Sequence, residues 1–318
     1  MNNTELKLIV TKINKFSNIV DKLKLNKNII TLEEVVETIV EETISTFNIL
    51  EKNDKIMVLM SGGKDSTTVA YILKKLGYNL TALHVNFGYG IWSKQNEENV
   101  KKFCESNSIK LKAIKFEEYS GKSMKEIRDI LKLTDNRRWC FTCGILRRKL
   151  FNYVARMEIS TKVATGHNMN DEIQNILMNF LTGNKIAFTR FWPIVKTSKS
   201  EKLIPRIKPL FFVPEELIKA YSILKKFPVI YMPCPCSYNA FRGEIEKFIN
   251  NEITDYKERY KILSKAFLLK EEIKKRIKQN NVKECKLCGE PSSNEICMPC
   301  SLMEKYQKAI NLTTLIAQ

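Results

Sequence analysis

The chain has 318 residues, 44% hydrophobic and 28% charged, which is typical of a globular protein with one large core and a smaller appendage. It has no apolar run near ~18 residues and no signal-peptide pattern, so the sequence predicts a cytoplasmic protein with no membrane partner. The net charge is +18, and the surplus falls after residue 54, because residues 1–54 carry 7 Lys and Arg against 9 Asp and Glu. A basic surplus favours a nucleic-acid partner, although a lysine-rich solvated surface explains it equally well.

The order of apolar residues predicts an α/β fold. Residues 1–54 show helical spacing and predict two amphipathic helices that are separated near residues 26–28, with Thr31 and Glu34 as a capping box. From residue 56, strands alternate with helices, which predicts a doubly wound parallel sheet whose ligand lies beyond the carboxyl ends of the strands. The predicted strands are 56–60, 79–85, 110–116 and 162–165, and the predicted helices are 65–77, 93–107, 122–132, 143–158 and 170–182.

The second half of the chain is less regular. Residues 184–213 are predicted to be a loop region, followed by a helix that Pro214 opens, a strand at 229–231, a helix from about Ala240 and a long basic helix over about 254–280. The predicted domains are an N-terminal helical region (1–54), a central α/β domain (55–232), a helical extension (233–283) and a C-terminal cysteine module (284–318).

The turn between the first buried strand and its helix has the sequence Ser-Gly-Gly-Lys-Asp-Ser, residues 61–66. Paired glycines can take positive φ and let the backbone approach a ligand, while the N–H groups of the helix start and the Lys64 ammonium attract phosphate. The turn therefore predicts an anion site. It is not the common phosphate loop, because Asp65 follows the lysine directly. A tight turn with an incidental lysine is the simpler alternative.

Eight of the nine cysteines fall into close pairs, and only Cys104 stands alone, as a buried apolar cysteine would. In a chain without an export signal, this usage favours metal or thiol chemistry over disulfides. The pairs Cys285/Cys288 and Cys297/Cys300 form a tetrathiolate pattern, which predicts a structural Zn²⁺ that folds a tail too small to bury its own core.

Two further pairs lie in the α/β part and the extension. Cys140 and Cys143 stand at the start of a predicted helix, where the helix N-terminus and the arginines at 137, 138, 147 and 148 would lower the thiol pKa. A redox pair, a metal site and a simple buried pair remain alternatives. Cys234 and Cys236 lie on a proline-rich turn. If residue 234 folds back beside 140–143, three thiolates could hold a cubane iron–sulfur cluster with one iron open to sulfide or substrate.

Six motifs occur in order over about residues 55–300, and together they resemble the PP-loop ATP pyrophosphatase family, specifically its tRNA 2-thiolation (2-thiouridine synthetase) group. The motifs are Ser61–Ser66, C-x-x-C-G-x-x-R-R from Cys140, G-H-N-x-N-D-E-x-Q from Gly166, R-x-K-P-L from Arg206, C-P-x-S-x-x-A-F-R from Cys234, and the terminal cysteine module. The resemblance implies the fold of adenine nucleotide α-hydrolases for residues 55–232. The terminal module would be a zinc ribbon.

The resemblance implies a site residue by residue. Cys140, Cys143 and Cys234 would hold a 4Fe-4S cluster, and the terminal cysteines would hold Zn²⁺. The loop would bind ATP. Its phosphates would be held by Ser61, Gly62, Gly63 and Ser66, and Lys64 would offset the negative charge that develops during the reaction. Mg²⁺ would be held by Asp65 and Asp171. The nucleotide site would also include Gly166, His167 and His84. His167 would either bind phosphate or only form hydrogen bonds within its own turn. The alternative for His84 is a histidine of the core or of the strand end.

The implied activity is ATP-dependent tRNA 2-thiolation, in which the C2 oxygen of a uridine attacks the α-phosphate and sulfur then replaces the adenylated oxygen. A PP-loop ligase or amidotransferase, a cytidine 2-thiolase, and a zinc-containing nucleic-acid-binding protein are the alternatives. The sulfur donor would be sulfide, a persulfide carrier or a ubiquitin-like thiocarboxylate, and a homodimer is expected by analogy. Three departures stand out: helices replace the family's N-terminal zinc knuckle, Asn170 replaces an aspartate, and Cys236 replaces a tyrosine.

Overall fold

The computed structural model of the chain describes residues 3–25, 31–132, 139–195, 200–236, 241–277 and 282–316. The predicted break near 26–28, the arginines at 137 and 138, the start of a helix at Ala240 and the end of the basic helix near 280 lie outside these ranges. Within them, no helix is both long enough and apolar enough to cross a membrane.

The central sheet has the strand order β3-β2-β1-β4-β6-β5, and every pair is parallel except β5 with β6. Helices lie on both faces, so the predicted doubly wound parallel sheet is confirmed. The strands are β1 (Lys55–Leu59), β2 (Asn79–Asn86), β3 (Lys110–Lys115), β4 (Lys162–Ala164), β5 (Ile194–Val195) and β6 (Arg206–Ile207).

The helices of the first half of the chain match the sequence prediction closely. They are α1 (Asn3–Leu25), α2 (Leu32–Phe47), α3 (Lys64–Lys75), α4 (Ile91–Ser106), α5 (Phe116–Ser120), α6 (Met124–Leu131) and α7 (Trp139–Met157). The predicted capping box is present, because the Thr31 side chain accepts from the Glu34 backbone N–H and the Glu34 carboxylate accepts from the Thr31 backbone N–H.

The second half contains α8 (Met169–Leu181), α9 (Lys185–Phe188), α10 (Glu215–Leu224), α11 (Phe241–Glu252), α12 (Tyr256–Arg276), β7 (Lys283–Glu284), β8 (Pro291–Ser292) and α13 (Met298–Ile316). The predicted loop at 184–213 is wrong in part, since α9, β5 and β6 fall inside it. A strand of two residues shows no alternation in sequence, so these strands are defined only by the pairing of β6 with β4 and of β5 with β6.

Two smaller predictions are also wrong. The chain forms no strand at 229–231; the segment is irregular between Pro228 and Pro233, and the Tyr231 hydroxyl bonds the Ser222 hydroxyl instead of a strand neighbour. Pro214 is the N-cap of α10 and not its first helical residue.

The sheet separates two buried clusters, and β1 contributes to both because alternate side chains point to opposite faces. Ile56 and Val58 lie in the larger cluster with α1, α2, α3 and α12, while Met57 lies in the smaller one with α6 and α7. The C-terminal helix α13 also enters the smaller cluster through the buried Tyr306, whose hydroxyl donates to the Glu126 carboxylate. The last residues therefore pack against the sheet domain.

The N-terminal helices belong to the main core. Phe16 of α1 is 1% exposed and stacks on Phe212 with ring centroids 4.6 Å apart, and Phe47 of α2 meets Trp192 edge-on at 5.1 Å. The rings of Phe16 and Phe47 thus pack against the segment between β6 and α10 and against the end of β5.

This packing predicts that Phe16→Ala lowers the free energy of unfolding by about 3–5 kcal/mol, because the Phe212 ring would face a cavity. Urea denaturation followed by circular dichroism measures the loss. Leu8→Ala on the same helix is the matched control, since Leu8 is 55% exposed. Equal effects of the two substitutions would contradict the packing of α1 as a core element.

Candidate nucleotide pocket and cysteine centre

The glycine turn lies between β1 and α3 at the carboxyl edge of the sheet. Gly62 has φ +88°, and a Cβ there would collide with the Asn96 side chain, so this position requires glycine on both counts. The Ser61 and Ser66 hydroxyl oxygens are 3.1 Å apart, and the Ser66 hydroxyl donates to the Gly63 carbonyl at 3.2 Å. These bonds close the turn into a compact loop around the first N–H groups of α3.

The turn between β4 and α8 approaches this loop closely. A Cβ on Gly166 would lie 2.7 Å from the Ser66 backbone nitrogen, so only glycine allows the two backbones to come this near. The contact places His167 and Asp171 opposite Ser61 and Asp65.

These elements enclose a cavity of about 370 Å³, large enough for part of a nucleotide. One wall is apolar, and the other carries the polar loop residues and Arg147. The lining residues are Leu59, Met60, Ser61, Asp65, Ser66, Leu83, Val85, Phe87, Arg147, Phe151, Thr165, Gly166, His167 and Asp171. Of the nucleotide residues expected from the sequence, Gly62, Gly63, Lys64 and His84 lie around this cavity without lining it.

Lys64 makes two ion pairs. Its ammonium lies 3.0 Å from an Asp65 carboxylate oxygen and 2.7 Å from a Glu215 carboxylate oxygen at the start of α10. These carboxylates raise the Lys64 pKa although burial opposes them. Burial raises the pKa of Asp65, and Lys64 opposes that rise. Glu215 was missed by sequence reasoning, because only the fold brings α10 beside the loop.

Asp171 faces the cavity, and Asn170 faces away from it. The Asp171 carboxylate accepts from the Asn168 backbone N–H at 3.1 Å and from the Arg242 guanidinium at 2.9 Å. The buried Asn170 side chain instead accepts from the backbone N–H of Glu215 and from Arg259, each at 3.3 Å. The amide that replaces the family's aspartate therefore joins α8 to α10 and α12 and adds no group to the pocket.

The two histidines of the chain have different surroundings. His84 is 3% exposed, and its Nδ1 lies 2.9 Å from the Met60 carbonyl oxygen, so it supports the backbone just before the loop. His167 lines the cavity, with Nδ1 2.8 Å from the Thr165 hydroxyl. Burial, followed by four nearby cationic side chains led by Lys208, lowers the pKa of His167 to about 3. Its imidazole is therefore neutral at physiological pH and binds by hydrogen bonding only.

The cysteines of the α/β part and the extension meet on one side of the pocket. The Cys140 thiol donates to the Cys236 carbonyl at 3.2 Å, and the Tyr89 hydroxyl donates to Cys143 Sγ at 3.8 Å. Burial raises the pKa of Cys234 to about 11, with smaller contributions from the charges of Cys236, Cys143 and Cys140. The start of α7 thus contacts the loop that carries Cys234 at the neighbouring residue Cys236.

The expected lowering of the thiol pKa is wrong for the metal-free chain. Burial raises the pKa of both Cys140 and Cys143, and the opposing charge of Arg147 does not offset it. The partial burial of the two thiols beside the loop that carries Cys234 and Cys236 therefore outweighs the favourable charge of Arg147.

Arg147 joins the cysteines to the nucleotide cavity. It lines the cavity, and its charge acts on Cys140, Cys143 and His167. Neither it nor its neighbours Arg148 and Arg206 pair with a carboxylate in the part of the chain that the structure describes; the side chains of Arg148 and Arg206 donate to backbone carbonyls. A guanidinium group that lines a cavity without a carboxylate partner, as Arg147 does among the described residues, suits a phosphate.

The four terminal cysteines form a second centre. Their sulfur atoms all lie within 4.8 Å of one another, the spacing that one tetrahedral ion requires. The module contacts α7, because Lys149 lies 3.7 Å from Cys300 Sγ and Arg156 pairs with Glu290. The sequence-predicted ligands are thus assembled and held against the α/β domain.

The fold and the pocket define a nucleotide-binding α/β protein of the PP-loop class, and a family model of the PP-loop domain matches residues 32–230. The tRNA-5-methyluridine(54) 2-sulfurtransferase of Thermotoga maritima is 34% identical over 281 residues, 88% of this chain and 90% of that protein. The cytoplasmic tRNA 2-thiolation protein 1 of Drosophila melanogaster is 30% identical over 282 residues, 86% of this chain and 80% of that protein.

Among solved structures, the U34-tRNA thiolase NcsA from Methanococcus maripaludis with its 4Fe-4S cluster aligns at a TM-score of 0.72 and 31% identity, covering 86% of this chain and 87% of that one. The chain belongs to the PP-loop family, in the group of the tRNA 2-thiolation proteins. The resemblance noted from the sequence motifs is confirmed.

The contact at Gly166 predicts that Gly166→Ala weakens binding of a non-hydrolysable ATP analogue by at least about tenfold, since the added methyl displaces the backbone at Ser66. Isothermal titration calorimetry measures the affinity. Gly243→Ala is the control, because a Cβ there meets no atom within 4 Å. Unchanged affinity in Gly166→Ala would show that the spacing of the two turns does not set the nucleotide site.

The different orientations of residues 170 and 171 predict opposite responses to a change of charge. Asp171→Asn removes a carboxylate from the pocket and should raise the Mg²⁺ concentration needed for ATP binding about tenfold. Asn170→Asp adds a carboxylate outside the pocket and should leave that concentration unchanged. Mg²⁺ titrations of nucleotide binding measure both, with thermal melts to confirm folding. An effect of Asn170→Asp as large as that of Asp171→Asn would contradict the assignment.

Proposed function

We propose that the protein is an ATP-dependent tRNA sulfurtransferase that replaces the C2 oxygen of a uridine in tRNA with sulfur. The observation that carries this proposal is the position of Arg147, which lines the nucleotide cavity one helical turn after Cys143 on α7. A nucleotide pocket and a sulfur-handling centre that share a helix can act in turn on one substrate atom. The names of the similar proteins, which are tRNA thiolation enzymes, support the same activity.

The first step is activation of the oxygen. The loop N–H groups and the hydroxyls of Ser61 and Ser66 would bind the phosphates of ATP, and Asp65 and Asp171 would hold a Mg²⁺ that offsets the phosphate charge. The uridine C2 oxygen attacks the α-phosphorus and pyrophosphate leaves. Lys64 would stabilise the negative charge that develops, once Glu215 releases it.

The second step is sulfur insertion. Cys140, Cys143 and Cys234 would hold a 4Fe-4S cluster, which when bound supplies an iron site for sulfide. The Cys140 thiol contacts the carbonyl of Cys236, two residues after Cys234, and this contact supports a centre shared by the helix start and the loop. Tyr89 and Trp139 form a hydrogen-bonded pair beside Cys143 that would limit the access of water. Attack of sulfur on C2 expels AMP together with the original oxygen.

The tRNA would approach over the arginines at the cavity mouth. Arg147, Arg148 and Arg206 would contact the phosphates that flank the target uridine, and the basic surplus of residues 55–318 would support the rest of the interface. The terminal cysteines would hold a structural Zn²⁺ that fixes the module against Lys149 and Arg156. This ion is closed to substrate, because four thiolates complete its coordination.

The proposal predicts that a strain lacking this chain lacks a 2-thiouridine-type nucleoside in its tRNA. Nucleoside mass spectrometry measures this, and digestion with a site-selective nuclease identifies the position. The wild-type chain should restore the modification, whereas Cys140→Ser, Cys143→Ser and Cys234→Ser should each leave less than about a hundredth of it, since each removes a cluster ligand. Cys104→Ala, in a buried site on α4, is the control. Full restoration by the three Ser variants would exclude the proposed chemistry.

A further inference from the structure

Cys236 is a fourth cysteine in the centre formed by Cys140, Cys143 and Cys234. The Cys140 thiol bonds its carbonyl at 3.2 Å, and the Arg128 guanidinium lies 3.9 Å from its sulfur. Its charge also acts on Cys140, Cys143 and Cys234. The motif comparison does not account for this thiol, because tyrosine is usual at this position.

The number of thiols matches an iron–sulfur cube. A 4Fe-4S cluster takes up to four cysteine thiolates, one on each iron. Cys140 and Cys143 stand near the start of α7, and Cys234 and Cys236 stand on the loop that the Cys140–Cys236 contact holds against it.

A cationic side chain lies beside Cys236. The Arg128 guanidinium approaches the sulfur from α6 and also bonds Asp129 on the same helix. Arg147 acts on the other side of the centre, at Cys140 and Cys143. Two guanidinium groups thus oppose the negative charge that four thiolates would bring to the cluster.

We propose that Cys236 is a fourth and displaceable ligand, which occupies the substrate iron of the cluster in the resting protein and leaves when sulfide binds. This inference rests on the proposed function, since it requires a cluster on Cys140, Cys143 and Cys234. Cys236 lies in a turn outside any helix or strand, half-buried, so it can move without disturbing the fold. Cys140 and Cys143 stand on the rigid first turn of α7 and remain in place.

The exchange is a balanced ligand substitution. One iron–cysteine bond breaks and one iron–sulfide bond forms, hydrosulfide loses its proton, and the freed Cys236 thiolate takes up a proton. No oxidation state changes. The displaceable thiolate would protect the open iron from loss until sulfide arrives.

The test compares three anaerobically reconstituted proteins: wild type, Cys236→Ser and Cys104→Ser. Cys104→Ser is the control, because it also lacks one thiol. After mild ferricyanide oxidation, a cluster with three cysteines loses its fourth iron, and a cluster with four cysteines keeps it. We expect wild type and Cys104→Ser to retain about four iron atoms per chain, and Cys236→Ser to fall to about three with the electron paramagnetic resonance signal of a 3Fe-4S cluster. Sulfide should also bind Cys236→Ser about tenfold more tightly than wild type. The factor assumes that Cys236 occupies the iron about nine-tenths of the time in wild type, so that only about a tenth of the sites is open to sulfide.

The outcomes separate the two proposals. If wild type loses the fourth iron as readily as Cys236→Ser, the inference on Cys236 is wrong and the proposed function stands. If wild type binds no iron at all, both are wrong. Cys234→Ser provides a further check: it should assemble no stable cluster, and a stable cluster in Cys234→Ser together with none in Cys236→Ser would show that residue 236 is the permanent ligand.

Discussion

The packing of α7 against the central sheet is the constraint on which the site depends. Leu146, Leu150 and Val154 recur every four residues and are buried in the smaller cluster with Met57. The adjacent stripe of the same helix carries Cys143, Arg147 and Phe151, which therefore lie in a row along the edge of the nucleotide cavity. One helix thus carries Cys143, which is proposed as a cluster ligand, and the cation Arg147 and the ring of Phe151, which line the pocket. Lys149 and Arg156 of the same helix contact the C-terminal module.

Charge is distributed around the site in a consistent way. The loop side contains carboxylates and Lys64, which compensate one another before ATP and Mg²⁺ bind. On the side of α7 and β6, Arg147, Arg148 and Arg206 have no carboxylate partner among the residues that the structure describes, and this excess of positive charge suits the phosphates of a nucleic acid. His167 lies between the two and stays neutral, because further positive charge there would be costly. The basic surplus noted in the composition is therefore concentrated, at least in part, where a polyanion would be processed.

Much of the fold was predictable because its signals are local. Buried strands such as β1 are continuous apolar runs, the capping box at Thr31 and Glu34 is a short pattern, and the Ser-Gly-Gly-Lys-Asp-Ser turn specifies its own conformation. The strands β5 and β6 were not predictable, since two residues show no periodicity and their pairing is set by tertiary contacts. For the same reason Glu215, remote in sequence, could not be assigned to Lys64.

The candidate site shows the same division. The order of the motifs identified the residues of the site, but the directions of their side chains could be seen only in the folded structure. From the sequence, Asn170 suggests that the pocket has lost a carboxylate. In the structure, its side chain bonds Arg259 and the start of α10 instead. The pKa values of the Cys140 and Cys143 thiols are raised and not lowered, because the sequence reveals the nearby arginines but not the tertiary contacts that partly desolvate the two thiols. Cys236 was visible in the sequence, while the contact of its carbonyl with Cys140 was not.

The central claim is that the uridine oxygen leaves as part of AMP. Its most direct test is a single-turnover reaction of the cluster-loaded protein with ATP, sulfide and tRNA that carries oxygen-18 at C2 of the target uridine. Mass spectrometry of the nucleotide product should find the label in the phosphate of AMP, in an amount equal to the 2-thiouridine formed. Thiolated tRNA accompanied by unlabelled AMP would contradict the account, because sulfur would then enter without adenylation of the oxygen that it replaces.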